Sequence, residues 1–471
     1  MNLERSADGE YRFLRFDRFM AEALYGVGGF FQSGGQAGGS DGDFLTSPET
    51  GALFGRLWGR ALDRFWEELG RPDPFVVIEA GAGVGTLARS VLRSQPECGS
   101  ALALHLVEAS QHLADQARAR LDQFPNVVVH RSIRDVAEYL QTDERTARTR
   151  TTDDHWADDH QADDHWADDD WAGDSQADDD WADEHRPVGE VAELVQAGST
   201  PSSRPRPVCH VLCSNELLDN LPCGVVRCRP VGVVGALAAV HPLDELFRAP
   251  ESSPGQHAPA ASGALCWEEL ALVSASDTTG QRQLRDLEPF STTWVPLRPG
   301  HWADLLAPLM ATESVQPVPL PTGIERWFAE VAAHFDVRAM LHVDYGAPLG
   351  ELQARDGEWL RTYRAHGRAG APWEAPGSCD ITADVPTDLV SLLSERAGLG
   401  ALMSIGQSDW LAALDMEALV GKAREHADST AAIGGLDHLR CRSVVTEAGL
   451  LMNPQGLGAF RVLTTSNEVG R

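Results

Sequence analysis

The residues best placed to do chemistry form a glycine turn with acidic neighbours. Phe75-Val76-Val77-Ile78-Glu79, a short apolar run rich in β-branched residues, leads into Ala80-Gly81-Ala82-Gly83-Val84-Gly85-Thr86 and then into a helical pattern from Leu87 to Leu92. Strand, glycine turn and helix in that order predict a loop whose backbone approaches a ligand closely, followed by unpaired helix N–H groups. The spacing is G-x-G-x-G, whereas a dinucleotide pyrophosphate site uses G-x-G-x-x-G. Glu79, at the strand end, is placed to pair with a ligand ammonium. Together these features point to S-adenosylmethionine, which carries an amino-acid end and no phosphate.

The next strand is predicted over Ala101–Glu108, ending in a carboxylate 23 positions after Gly85. A carboxylate there is suited to accept both ribose hydroxyls of an adenosine cofactor. A helix from Gln111 to Leu121 follows. A third strand, Asn126–His130, ends before Arg131-Ser132-Ile133, where a doubly wound sheet would hold an adenine edge. Val208–Cys213 supplies a fourth strand and opens into Ser214-Asn215-Glu216-Leu217-Leu218-Asp219-Asn220-Leu221-Pro222. Ligands in open α/β sheets collect beyond the carboxyl ends of the strands, so this loop is the expected reaction site. Glu216 could hold or deprotonate a nucleophile beside the cofactor methyl, and Asp219 could steady the loop or a cationic substrate. Acids at a helix start are also ordinary capping residues. Asp344, in Asp344-Tyr345-Gly346, ends another apolar run; it belongs with the strand-end acids or is a turn residue before glycine.

The elements that must position these residues come from a chain of 471 residues with net charge −31, 43% hydrophobic and 23% charged. That apolar fraction builds one large core or two ordinary ones and excludes wholesale disorder, collagen-like chains and small disulfide scaffolds. No run approaches the length of a membrane-spanning helix, and Met1-Asn2-Leu3-Glu4-Arg5 lacks the pattern of a leader, so a cytoplasmic protein without membrane insertion is expected. The eight cysteines are expected to be reduced; Cys209, Cys213, Cys223 and Cys228 are too loosely spaced for a zinc site and read as plain thiols. Residues 153 to 182 repeat with period five (DDHWA, DDHQA, DDHWA, DDDWA, GDSQA, DDDWA), which matches neither helix nor strand. Asp153 to Glu184 contains fifteen acids and no Lys or Arg, leaving −16 on the rest of the chain. Like charges at this density, with only four tryptophans and scattered alanines to bury, predict an unstructured loop. His155, His160, His165 and His185 could hold a transition metal loosely, but a repeat expansion tolerated in a surface loop is the simpler account, and no metal site is expected. The acidic balance disfavours nucleic acid and suits a cationic peptide.

Further along, Val231–Val240 and Leu270–Val273 read as strands of an antiparallel addition, and Gly323–Ala332 as a helix whose Trp327 and Phe328 are expected in the core. Asp409–Leu419 reads as a helix, and His438–Leu463 as a closing strand pair. His366 is a base near the site or a surface imidazole.

The whole pattern resembles the MidA family of S-adenosylmethionine-dependent methyltransferases. The resemblance is carried by Phe16-Asp17-Arg18-Phe19-Met20-Ala21-Glu22-Ala23-Leu24-Tyr25 with Gly28-Gly29-Phe30-Phe31, by Gly42-Asp43-Phe44-Leu45-Thr46-Ser47-Pro48-Glu49, by the glycine turn, by Val107-Glu108-Ala109-Ser110 and by the Asn215–Pro222 loop. It continues in Leu341-His342-Val343-Asp344-Tyr345-Gly346, Thr362-Tyr363-Arg364-Ala365-His366, Asp380-Ile381-Thr382-Ala383-Asp384-Val385 and Gly456–Leu463. The chain departs from the family at Asp384, where histidine is usual, and in the acidic insert. The resemblance implies an α/β fold with a Rossmann-like class I methyltransferase sheet, antiparallel and helical additions, and a disordered insert. The expected organisation is a first half of the core over 10–140, the insert over 141–207, and a second half with an added subdomain over 208–465. The resemblance also implies S-adenosyl-L-methionine as cofactor, with Gly81, Gly83, Gly85 and Glu108 on its site. Thr46, Ser47 and Pro48 then lie on a segment closing over it, and Asn215 and Glu216 on the loop facing the methyl group. It implies methyl transfer to a protein; for the mitochondrial member the acceptor is an arginine of a complex I subunit. A guanidinium would be gripped by paired carboxylates, Glu216 with Asp219 or Asp344. The alternatives are a catalytically silent assembly factor that keeps the fold and holds a partner, and a nicotinamide-dependent oxidoreductase, which would need the longer glycine spacing.

Overall fold

The strand nearest the glycine turn sits at the middle of the main sheet, which explains its apolar, β-branched sequence: a parallel strand covered on both faces has no polar side. The computed structural model describes residues 3–6, 12–33, 47–147, 205–230, 265–274, 284, 289–311, 314–364, 367–431 and 434–465. The main sheet has seven strands: β1 (Phe75–Ala80), β2 (Leu102–Val107), β3 (Val127–His130), β4 (Val208–Asn215), β5 (Asp336–Asp344), β6 (Met403–Gly406) and β7 (Arg461–Thr464). Their spatial order is β6-β7-β5-β4-β1-β2-β3. Pairs from β3 through β5 are parallel, whereas β7 runs antiparallel to both β5 and β6. The winding reverses between β1 and β4, where Ala80 pairs with Ser214. A crevice must open beyond the carboxyl ends of these two strands, because their connections leave in opposite directions.

Side chains alternate across the sheet. Val77, Leu341, Val343 and Val462 face one core with Phe54, Leu57 and Trp58 of α2 (Ala52–Glu68), whereas Ile78, Met340 and Leu463 face another. The second core includes Val136 of α5 (Ile133–Ala147), Phe328 of α6 (Thr322–His334) and Leu389 of α7 (Thr387–Arg396). Ahead of the sheet lies α1 (Phe16–Tyr25); α3 (Thr86–Arg93) and α4 (Gln111–Leu121) follow β1 and β2. A second, antiparallel sheet is built around Leu265–Ser274, which pairs with Arg12–Arg15, Gly224–Pro230 and Phe290–Pro296. It contains the expected Leu270–Val273 strand, while Val231–Val240 lies outside the described residues.

A buried ionic cluster locks α1 to α6 and to this second sheet. Asp17 accepts from Arg298 Nη1 at 3.0 Å, Thr322 Oγ1 at 2.9 Å and Arg326 Nη2 at 3.0 Å. Glu269 accepts from Arg15 Nη1 at 2.6 Å and from Arg298. The lock holds Tyr25, at the end of α1, against the site.

Two expectations change. The stretch from His438 is not a strand pair: Leu436–Leu451 is a helix that buries Cys441, Ala448 and Leu451, and only Arg461–Thr464 is a strand, paired with Met403–Gly406 and β5. Residues 409–419 belong to two helices, Gln407–Ala413 and Met416–Thr430, separated at Asp415, whose φ of 57° interrupts the turn. The pentapeptide repeats lie outside the described residues; α5 carries its helix to Ala147, past the expected start of the insert at 141. No helix among the described residues is long and apolar enough to cross a membrane.

Candidate active site

The glycine turn leaves β1 with Gly81 at φ 70° and Gly83 at φ 53°, both in the left-handed region that disfavours a side chain. Gly81 also has no room for one, since a Cβ there would come within 2.8 Å of Leu217. Gly83 is needed for its backbone: its N–H donates to Glu108 Oε2 at 2.9 Å, while the Ser110 N–H donates to Glu108 Oε1 at 2.7 Å. One carboxylate therefore ties the loop after β1 to the loop after β2. Burial pushes Glu108 up, and the N–H bonds from Ser110 and Gly83, with Arg131 nearby, work against that rise. The Arg131 Nε donates to the Glu108 carbonyl at 3.2 Å, and its other nitrogens hold Ala109 and Gln111.

These loops border a cleft of about 330 Å³ at the switch point. Of the residues singled out from sequence, Pro48, Glu79, Gly81, Gly83, Glu108, Ser132, Ile133, Asn215 and Glu216 line it. Ser47 sits behind it, donating its N–H to Glu216 Oε1 at 3.4 Å. Gly85 lies outside the cleft wall, starting α3 and turned toward Leu121 of α4. Thr46 and His366 fall outside the described residues.

Sequence reasoning missed Tyr25, Phe31 and Trp327 on this wall. Tyr25 donates its hydroxyl to the Asn220 carbonyl at 3.1 Å, and Ser110 Oγ donates to the Phe31 carbonyl at 3.0 Å. Trp327 was expected in the core with Phe328. Phe328 is there; Trp327 packs half-buried against the same core and also lines the cleft, with Glu330 one turn on. That i, i+3 pairing was the available signal.

The donors and acceptors fit an adenosyl amino acid. Glu79 is buried and its carboxyl makes no hydrogen bond or ion pair among the described residues; burial pushes that carboxyl up to about 8. Such an acid facing a cleft is costly to ionise until a cation arrives. Glu108 retains lone pairs for a diol, and Leu113, Ile133 and Trp327 offer apolar contact for a base.

Beyond Asn215 the chain turns at Glu216, whose φ of 53° is unusual for a residue with a side chain; its N–H donates to the Val343 carbonyl at 2.8 Å. Asp344 secures the rest of the loop. Its Oδ2 accepts the Leu218 N–H at 2.8 Å and the Asp219 N–H at 3.3 Å, and its Oδ1 accepts the Tyr345 N–H at 2.8 Å. Asp344 lines neither this cleft nor its neighbour, so in place of the expected grip on an acceptor it acts as a backbone anchor.

The neighbouring cavity is small, about 30 Å³, and acidic: Glu216, Asp219 and Asp380 line it with Tyr345, Tyr363 and Arg361. Glu216 and Asn220 border both cavities. Glu216 is pushed up to about 8 by burial and then by the Asp219 charge, against hydrogen bonds from Asn215 Nδ2 at 3.0 Å and the Ser47 N–H. Asp219 is pushed up to about 7 by burial, with Arg361 lowering it and Asp384 raising it. Its Oδ1 is buried without a hydrogen-bond partner. A cationic side chain beside the cleft would favour the ionised form of both acids, which could then hold it and take a proton from it. Cys209, Cys213, Cys223 and Cys228 are buried free thiols.

Comparison with known proteins places this geometry in a family. A family model described as "Putative S-adenosyl-L-methionine-dependent methyltransferase" matches residues 57–405. A Drosophila melanogaster protein, the mitochondrial protein arginine methyltransferase NDUFAF7 homolog, is 42% identical over 78 residues, covering 16% of this chain and 18% of that protein. The human mitochondrial protein arginine methyltransferase NDUFAF7 is 40% identical over 82 residues, 16% of this chain and 19% of its own length. The match thus spans under a fifth of these two relatives. A COG1565 superfamily member from Burkholderia thailandensis, crystallised with S-adenosyl-homocysteine, has 18% identity and a TM-score of 0.61, covering 97% of this chain and 88% of that one, which shows a shared fold. With residues 57–405 matched to the family model, the chain belongs to the MidA-like family of S-adenosyl-L-methionine-dependent methyltransferases.

Proposed function

We propose that this protein is an S-adenosyl-L-methionine-dependent protein arginine N-methyltransferase, built on a Rossmann-like class I sheet. The observation that carries the reading is the common wall: Glu216 borders both the large cleft and the small acidic cavity, so one carboxylate reaches donor and acceptor alike. When bound, the cofactor supplies an electrophilic methyl group on a sulfonium. Its amino-acid end is assigned to Glu79 and the glycine turn, its ribose to Glu108, and its base to the apolar side at Ile133 and Trp327. The chain's own part in the chemistry is to orient and deprotonate. Glu216 and Asp219 receive the acceptor guanidinium through charge-assisted hydrogen bonds, for which a forked cation is the best match. As the acceptor nitrogen is alkylated it must shed a proton; burial raises the Glu216 carboxyl to about 8, the seated guanidinium favours its ionised form, and the carboxylate so formed takes that proton. Asp344 keeps the loop rigid through its three backbone contacts, which preserves the orientation on which an in-line displacement depends. The names of the matched relatives support arginine as the acceptor, and the family resemblance suggests a respiratory-complex subunit as the acceptor protein.

The test is transfer of a radiolabelled methyl group to an arginine-bearing peptide. The wild type should label the peptide. Glu216→Gln should lose roughly a hundredfold or more of that rate while holding S-adenosyl-homocysteine within about threefold of wild-type affinity. Tight cofactor binding with no labelling of peptides or of cell lysate would instead indicate a silent assembly factor.

A further inference from the structure

We propose that Arg361 is a positioning residue of the acceptor pocket: its fixed positive charge is the counter-charge of Asp219 and lets that carboxylate face a cationic acceptor. The inference rests on the reading of the pocket given above. Arg361 lies on the strand Leu360–Arg364, paired with Thr382 of the strand Asp380–Ala383, and it is the only basic side chain lining the small cavity among the described residues. Its side chain is 13% exposed, so water and salt screen its charge little.

The guanidinium is held from two sides. It pairs with Asp384, whose other oxygen binds Arg355 Nη1 at 2.6 Å. It also lies over the Tyr345 ring, 5.0 Å from the centroid, and that ring packs on Phe460 with centroids 4.0 Å apart. Because Asp384 is shared between two arginines, it does not neutralise both, and the group of Arg355, Asp384 and Arg361 keeps one net positive charge. Asp219 needs that charge, since its Oδ1 has no hydrogen-bond donor.

Among the described residues, every other titratable group facing Asp219 is an acid or a phenol. Glu216 comes from its own loop, Asp344 from β5 behind it, and Tyr345 from the turn after β5. Asp380 and Tyr363 come from the small sheet, Asp384 from the segment after it, and Tyr25 from α1. Without Arg361 this group would take up protons and lose its grip on a cation. A purely structural ion pair would leave the charge state of Asp219 alone.

The experiment follows the Asp219 carboxyl by carbon-13 NMR in the full chain, labelled at aspartate, with S-adenosyl-homocysteine present and the signal assigned by its loss in Asp219→Asn. In Arg361→Met the titration midpoint should rise by about one pH unit or more, and Arg361→Lys should restore most of the wild-type value. Asp384→Asn should move the midpoint the other way, downward, and carries the test should the methionine variant fail to fold. With an arginine peptide, the acid limb of kcat/KM should shift upward in Arg361→Met, with about a fivefold loss at pH 7 that recovers by pH 9. An unmoved Asp219 midpoint, or a loss equal at every pH, overturns the proposal. If the wild type labels no arginine, the proposed function falls, and the Asp219 titration still decides the role of Arg361.

Discussion

Cofactor binding should release a proton from Glu79, and the size of that release follows from where the side chain sits. The carboxyl is buried at the end of β1 with no partner among the described residues, and burial alone lifts it to about 8. At pH 7 the free protein then holds it about 90% protonated, at pH 6 about 99%. An ammonium seated beside it favours the ionised form, so binding at pH 7 expels about 0.9 proton. Affinity must therefore rise with pH while the free carboxyl remains protonated, by about ninefold between pH 6 and 7, below the midpoint at which an α-amino group itself titrates. Calorimetric titration with S-adenosylmethionine in buffers of differing ionisation enthalpy reads the proton count directly. Glu79→Gln should flatten both the buffer dependence and the pH dependence. A binding enthalpy that is the same in every buffer at pH 7, or a release that survives intact in Glu79→Gln, would refute the pairing of Glu79 with a ligand cation.

Two further outcomes are expected. Gly83→Ala has open space for its Cβ, so its cost is confined to a φ of 53°, about 1–2 kcal/mol, and to the bond from its N–H to Glu108; calorimetry should show weakened cofactor binding while the chain stays folded. Asp17→Ala takes from Arg326 its carboxylate partner and leaves Arg298 with Glu269 alone, and should cost about 3 kcal/mol in denaturant unfolding. Burial would raise the Asp17 carboxyl, but Arg298 and Arg326 outweigh burial and hold it below its ordinary value. Its contribution is therefore complete above the unfolded value near 4 and disappears as pH falls through the lower folded one, an acid dependence the alanine variant should lack.

The part of the site carried by neighbouring residues was legible in the sequence. Phe75–Ala80, the glycine turn and Glu108 lie within one β-α-β stretch, where pattern and spacing determine placement, and the Gly83–Glu108 bond joins residues only 25 apart. Tyr25, Phe31 and Trp327 reach the same cleft from α1, the loop after it and α6, positions fixed by tertiary packing and the Asp17 lock. Asp344 was rightly placed at a strand end, but alternation alone could not say that its oxygens turn toward the Leu218 and Asp219 backbone. The stretch His438–Leu463 read as a closing strand pair, whereas in Leu436–Leu451 the buried positions Cys441, Ala448 and Leu451 follow helical spacing.

The attachment points of the long acidic stretch have a practical meaning. Helix α5 begins at the cleft with Ile133 and runs back along the sheet to Ala147, and β4 starts at Val208, so both joints sit at the edge of the sheet opposite the chemistry. The same place is where new termini for a circular permutant, or a reporter cassette, should be accepted with the catalytic end undisturbed.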